Sequence, residues 1–370
     1  MNPSRPPLHA ICPYFAMFPE SFVREKVETY TKKGDLVFDP FCGRGTTILE
    51  SLLLGRNAAG SDINPVAFCV SRAKADRPEL IRVLSRINKL EEIYNRETPD
   101  PWEQERLLLP PFFRRAFYHT TLRELLFLRD SLNWHNNRIE RFIAALILGS
   151  LHGEMDRSSA YFSNQMPRTI CLKPNYSLRY WKKHELFPKK RDVFEMLRGK
   201  AAYRLHGIQN IASGEVKLAD VRKVGSHFRS LWGKVVLVVT SPPYLNVTRY
   251  EEDQWLRLWF LGGPPHPTYG NISKDDRYVA ATKYWEFLRD SWTGLAPLLK
   301  DSARVVIRLG AIGLNENEMS SQLKSSLRSV FPKARLLGHP KYTEIVGRQS
   351  QSFLPSSKGC MFEIDYVFSV

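Results

Sequence analysis

A glycine turn set directly behind an apolar strand leaves this chain few architectures to choose from. Leu36-Val37-Phe38 is a short apolar run suited to a buried parallel strand. Asp39-Pro40-Phe41-Cys42-Gly43-Arg44-Gly45-Thr46-Thr47 follows at once, and Thr46 to Leu54 reads as a helix closed by Gly55. Asn57 to Asp62 then leads a second short strand to an acidic end. The whole is a βαβ unit with a tight turn at the strand's carboxyl end, where open α/β sheets bind ligands. Gly43 and Gly45 let the backbone bend sharply and come close to a ligand. The helix behind them offers unpaired N–H groups and a positive dipole end that favour a carboxylate. A phosphate loop is excluded, because no Gly-Lys-Ser/Thr is present, and Ile48 stands where a dinucleotide fingerprint needs its third glycine.

Helix and strand patterns alternate around this unit. Pro19 to Tyr30 has Phe22, Val23, Lys26 and Val27 at helical spacing. From about Arg72 the pattern becomes helical only, over Ile81 to Tyr94, Thr121 to Leu132 and Ile139 to Leu151. The alternation resumes with a strand at Val235 to Val239, a helix at Tyr284 to Leu299, a strand at Arg304 to Leu309 and a helix through Met319, Leu323, Leu327 and Val330. Ala334 to Leu337 and Phe362 to Val370 read as a closing pair of strands. A split α/β core with a mostly parallel, doubly wound sheet is expected, interrupted by a helical insertion. The expected domains are 1–74 and 211–370 as two parts of one catalytic domain, with 75–210 as the insertion.

Charge singles out part of that insertion. The chain has 370 residues and a formal net charge of +16. Arg157 to Arg204 holds twelve Lys or Arg against three Asp or Glu. Phosphate backbones are the usual partners of such an excess, although a basic run can also be a solvated face. The five cysteines are odd in number and widely spaced, which argues against a disulfide framework or a structural zinc site. The histidines lack metal-ligand spacing, so no metal is expected. The N-terminus lacks a signal-peptide stretch and no apolar run is long enough for a membrane span, so a cytoplasmic protein is expected.

The nonapeptide Asp39 to Thr47 resembles the S-adenosylmethionine-binding motif of the amino-methyltransferases that act on DNA bases. The resemblance implies a Rossmann-like, seven-stranded methyltransferase sheet with S-adenosyl-L-methionine as cofactor. It implies that Asp39, Pro40, Phe41, Gly43, Gly45, Thr46 and Thr47 hold the methionine part. Asp62, with Ile63 beside it, matches the acid that binds the ribose hydroxyls, and one carboxylate can accept from both. Asp220 resembles the acid that contacts the adenine amine, and Phe15 lies in the segment placed near the methionine carboxylate.

Thr240-Ser241-Pro242-Pro243-Tyr244 follows the apolar run Val235 to Val239. Two prolines stiffen this loop and remove backbone donors, leaving carbonyl acceptors. In the family such a tetrapeptide is catalytic. Ser241 and the carbonyl of Pro242 accept the hydrogens of an exocyclic amine, Pro243 stiffens the loop, and Tyr244 stacks on a base extruded from the duplex. Serine at the first position leans toward cytosine N4, and aspartate or asparagine toward adenine N6. The basic insertion is the expected target-recognition region, with Arg157, Arg168, Lys173, Arg179, Lys182 and Lys183 as candidate DNA contacts. The expectation is a cytosine-N4 methyltransferase acting on double-stranded DNA, of the restriction-modification kind, with a cognate restriction endonuclease as possible partner. Adenine-N6 methylation of DNA, guanosine-N2 methylation of tRNA, and a non-catalytic DNA-binding protein on a degenerate methyltransferase scaffold are the rivals.

Overall fold

A computed structural model describes residues 5–14, 18–96, 101–155, 160–167, 172–207, 211–245, 253–268, 281–310, 313–345, 360 and 362–370. The chain divides into two units. The sheet unit comprises 16–75, 211–249 and 270–370, and the helical unit 1–15, 76–210 and 250–269. The expected insertion at 75–210 therefore gains two further segments: the first fifteen residues and 250–269 belong to the helical unit. Among the described residues neither segment carries a strand, so strand rhythm in the sequence does not mark them.

The sheet unit holds eight strands: β1 Leu36–Asp39, β2 Asn57–Asp62, β3 Glu215–Leu218, β4 Val235–Thr240, β5 Leu299–Leu309, β6 Arg335–Leu336, β7 Lys341–Glu344 and β8 Phe362–Ser369. Their order is β3-β2-β1-β4-β5-β8-β6. The pairs from β3 through β5 are parallel, and β8 enters antiparallel beside β5. β6 pairs with Phe368 and Ser369, and β7 pairs with Phe362 to Asp365. Both therefore lie along one edge of β8, and eight strands fill the seven places the resemblance implied. The segment 76–210 of the helical unit lies between β2 and β3 in chain order.

Burial alternates along the central strands. Val37, Leu237, Val239 and Val306 pack on one face with Phe18, Phe22, Val23 and Val27, the last three from helix α1 (Glu20–Tyr30). Phe38, Val238, Val305 and Ile307 pack on the other with Tyr284, Leu288, Trp292, Leu323 and Leu327 from the helices Ala281–Leu295 and Glu316–Arg328. Helices on both faces make the sheet doubly wound and explain why its central strands read as apolar runs. Each such Val or Leu removed from water contributes about 1.5–3 kcal/mol. Helix α2 (Thr46–Leu53) ends where Gly55 takes φ +74°, a left-handed C-terminal turn. Helix α3 (Pro65–Ala75) follows β2.

The helical unit contains α4 Leu80–Arg96, α5 Pro101–Leu108, α6 Pro111–Ala116, α7 His119–Ser131, α8 Arg138–Leu148, α9 Pro174–Lys183, α10 Val193–Leu205 and the helix Trp255–Phe260. Asn137 caps α8 by accepting from the amides of Ile139 and Glu140, and α8 is buried from Glu140 to Leu148. Aromatic contacts fill the interior, among them Phe113 on Trp259 at 4.6 Å and Trp102 on Phe127 at 5.0 Å. Between α8 and α9 the described residues form neither helix nor strand, yet several pack inward. Phe162 and Ser163 donate to the carbonyls of Ser150 and Leu151, and the Trp181 indole donates to Gln165. Among the described residues no helix is long and apolar enough to cross a membrane.

Candidate active site

The strand order reverses between β1 and β4, and the two motif loops leave the carboxyl ends of these neighbours. They are joined there. Thr240 Oγ donates to Asp39 Oδ1 at 2.8 Å, and Thr47 Oγ donates to the carbonyl of Val239 at 3.2 Å. The glycine turn and Ser241, one residue past Thr240, thus share the switch point at which such sheets bind ligands.

The turn is held from several sides. The amide of Phe41 donates to Asp39 Oδ1, and that of Gly45 to the carbonyl of Cys42. Gly43 and Gly45 take φ +49° and +75°, a region that disfavours other residues. Gly60 on β2 is equally forced, because a Cβ there would lie 2.4 Å from both the Asp39 carbonyl and Cys42 Sγ. Lys74, fully buried, donates to the carbonyl of Arg44 at 2.6 Å, and Arg44 reaches Glu20 at 2.6 Å. Lys74, Glu20 and Thr240 escaped the sequence reading. Thr240 had a signal, since it directly precedes the tetrapeptide, whereas nothing in the sequence marks Lys74 as buried.

Two acids face this turn. Burial pushes the Asp39 carboxyl up to about 6 against the hydrogen bonds from Thr240 and Phe41, and the nearby charge of Asp62 adds to the rise. Burial also pushes Asp62 up to about 6, opposed by the amides of Asn64 and Gly43 that donate to it. Asp39 Oδ2 is buried and makes no hydrogen bond of normal geometry, with the Thr47 hydroxyl close by, and a cationic group would satisfy it. The N-cap of α2, Gly45, supplies no side-chain acceptor, which leaves the helix's first amides for a carboxylate. Ile63 stands 62% exposed beside Asp62, an apolar surface suited to a flat ring. These groups fit S-adenosyl-L-methionine: Asp39 for its ammonium, the start of α2 for its carboxylate, Asp62 for its ribose and Ile63 for its adenine.

Asp220 stands at the rim of the same sheet edge, just beyond β3, where the amide of Ala219 donates to the carbonyl of Asp62. Its carboxylate caps the following turn through the amide of Arg222 and pairs with the Arg222 guanidinium. The expected contact to adenine would have to share these oxygens. Phe15, Arg157 and Arg168 lie outside the described residues.

The tetrapeptide expected to be catalytic departs from expectation at its last residue. Ser241 and Pro243 are half-buried and Pro242 is buried. Tyr244, expected as a stacking surface, is only 6% exposed. Its ring lies in the core of the sheet unit, and its hydroxyl donates to Glu363 Oε1 at 2.9 Å. Burial pushes this phenol well above its ordinary range, and the charge of Glu363 adds to the effect. Its hydrogen bond to Glu363 ties the loop to β8. Glu363 is in turn 3.6 Å from Arg308, which forms a buried two-point pair with Asp365 at 2.6 and 2.8 Å.

The basic stretch of the helical unit divides by role. Arg198 pairs with Glu91 and Glu195, Lys200 lies over the Tyr161 ring, and Arg204 donates to the carbonyl of Pro7. Those cations serve the fold. Lys173, Arg179, Lys182 and Lys183 are exposed on or beside α9. Among the described residues none of these four has an ion-pair partner, while Trp181 and Ser177 turn the other face of α9 inward.

Residues 4–71 match the family model described as DNA methylase, of the N6/N4 methyltransferase type. The type II methyltransferase M.MjaII of Methanocaldococcus jannaschii is 28% identical over 102 residues, 26% of this chain and 19% of the relative. The type II methyltransferase M.Cfr9I of Citrobacter freundii is 35% identical over 72 residues, 19% of this chain and 24% of its own length. The chain thus spans less than a quarter of either relative. The rRNA methyltransferase aviRa of Streptomyces viridochromogenes superposes with a TM-score of 0.39 at 12% identity, over 100% of this chain and 94% of its own; that likeness is too slight to bear on fold or substrate. The matched segment contains α1, the glycine turn and Asp62, the elements that carry the candidate cofactor groups. Over residues 4–71 the chain is similar to the DNA N4/N6 methyltransferases, and S-adenosyl-L-methionine is the cofactor that the groups of this segment fit.

Proposed function

We propose that this protein methylates N4 of cytosine in a specific duplex DNA sequence. The observation that carries the reading is the hydrogen bond from Thr240 to Asp39, which ties the acceptor loop to the cofactor turn at one switch point. When bound, the cofactor supplies an electrophilic methyl group on a sulfonium. The Ser241 hydroxyl and the Pro242 carbonyl accept the two amine hydrogens of an extruded base. That orients the nitrogen and draws its lone pair out of conjugation with the ring. Catalysis then rests on positioning and electrostatics. Tyr244 supports it from beneath, by holding the loop on Glu363. Serine in the first place of the tetrapeptide favours cytosine N4 over adenine N6. The +16 net charge and the four unpaired cations at α9 support a DNA backbone as partner. A cytoplasmic modification enzyme paired with an endonuclease of the same sequence specificity completes the reading.

The test is expression in an unmodified host with analysis of the product nucleosides. N4-methylcytosine in DNA is expected. N6-methyladenine would overturn the choice of base, and methylated guanosine confined to tRNA would overturn the choice of nucleic acid. Ser241→Ala should lower transfer by about a hundredfold or more and leave cofactor affinity within about twofold. A tenfold loss of cofactor affinity would contradict the assigned role.

A further inference from the structure

In the helical unit, Arg257 is buried, and among the described residues it has no counter-ion. It is 5% exposed. Its Nε donates to the carbonyl of Leu148 and its Nη1 to Gln254 Oε1, both at 3.1 Å, whereas Nη2 meets no acceptor. Gln254 is 1% exposed, and its Nε2 also has no partner. Among the described residues no carboxylate pairs with Arg257. Both side chains line one cleft, together with Leu151, His152, Leu172 and Asp253. The His152 ring is fixed by Ser163 at 2.8 Å, and Asp253 is half exposed with a contact of its own.

Unmatched donors at this depth are strongly unfavourable and mark a missing acceptor. The unmatched groups of Arg257 and Gln254 are N–H donors, one of them cationic, so the group they lack is an acceptor and the charge selects an anion. The free space at the cleft holds about one water-sized group. That admits a single oxygen and not the edge of a base. We propose that this cleft is an oxyanion site that takes one phosphate oxygen, from a nucleic-acid backbone or from free phosphate. The nucleic-acid source rests on the function proposed above; the oxyanion site itself does not.

Gln254→Glu separates the outcomes, because it places a carboxylate oxygen where Nε2 stood and gives Arg257 an internal partner. For the whole wild-type protein, inorganic phosphate should raise the melting temperature, and chloride at equal ionic strength should not. In Gln254→Glu this protection should disappear while the phosphate-free melting temperature holds or rises. The slope of log affinity for duplex DNA against log salt should become shallower by about one, a roughly fourfold smaller loss between 50 and 200 mM salt. A wild type that phosphate does not protect, with the DNA slope unchanged in the variant, overturns the proposal and leaves a cleft that holds water. Equal protection of both proteins overturns it too, since phosphate then binds elsewhere. Protection that the variant abolishes, in a protein that binds no duplex DNA, upholds the oxyanion site and overturns the DNA reading. The wild-type measurement stands even where the variant fails to fold.

Discussion

Burial and chemistry pull Asp39 in opposite directions. Enclosed under the turn, its carboxyl is pushed up to about 6, while a bound ammonium would favour the carboxylate. A raised acid works against stability once ionised: between its unfolded value near 4 and its folded value near 6 the native state binds the extra proton. Its contribution to the ligand-free fold is therefore present at low pH and lost as pH rises through about 6. Cofactor binding has the opposite slope, because it requires the proton to leave. Calorimetry with S-adenosylhomocysteine from pH 5 to 7 should show affinity rising by about tenfold and levelling off above pH 7. Asp39→Asn keeps an oxygen for Thr240 but has no proton to lose, so its affinity should be low and flat by comparison. A pH-independent wild type would remove Asp39 from the ammonium site. The acid, its strand and its turn were legible in the sequence because residue types and order state them. Its raised protonation was not, since that comes from burial in the folded chain, opposed by Thr240, 201 positions away along the chain.

Between elements, the narrowest fit is β2 against the cofactor turn. Gly60→Ala would press a methyl group into the Asp39 carbonyl and Cys42 Sγ, each 2.4 Å from its position. Overpacking of this kind costs about 1–3 kcal/mol, and here the displaced backbone is the cradle itself. The variant should melt at a lower temperature and lose at least tenfold in cofactor affinity; unchanged binding would show that the turn tolerates displacement. Elements with long apolar periods, such as α8 and β4, could be read from the sequence directly. α9 could not, because only Ser177 and Trp181 of its ten residues turn inward. Its outer face keeps the expected cations free. Replacing Lys182 and Lys183 by Gln should weaken duplex binding and flatten its salt dependence by about two, as read by titration at several salt concentrations. An identical slope would make this face merely solvated. α10 teaches the contrary lesson: Arg198 and Arg204 looked the same in composition but are spent on Glu91 and on the Pro7 carbonyl.

At the scale of the whole molecule, each unit has a core of its own, and the chain enters the helical unit three separate times. That discontinuity is invisible to a linear reading, which placed residues 1–15 with the sheet because they precede β1 in order. In space the turn Pro7–Ala10 packs on α10, whose Arg204 donates to the Pro7 carbonyl. Chains with more than one core commonly unfold in more than one step. A ligand that binds only one native unit stabilises that unit by mass action. The groups assigned to the cofactor, Asp39, Gly43, Gly45, Thr46, Asp62 and Ile63, all belong to the sheet unit. Scanning calorimetry should therefore resolve two transitions, with S-adenosylhomocysteine raising one of them. At a concentration a hundred times its dissociation constant the gain is about 2.7 kcal/mol. Phosphate, if held by Arg257 and Gln254, should raise the other. A single transition that both ligands move together would show that the two cores unfold as one cooperative body, and the separate assignment of cofactor and oxyanion sites would then have to rest on variants alone.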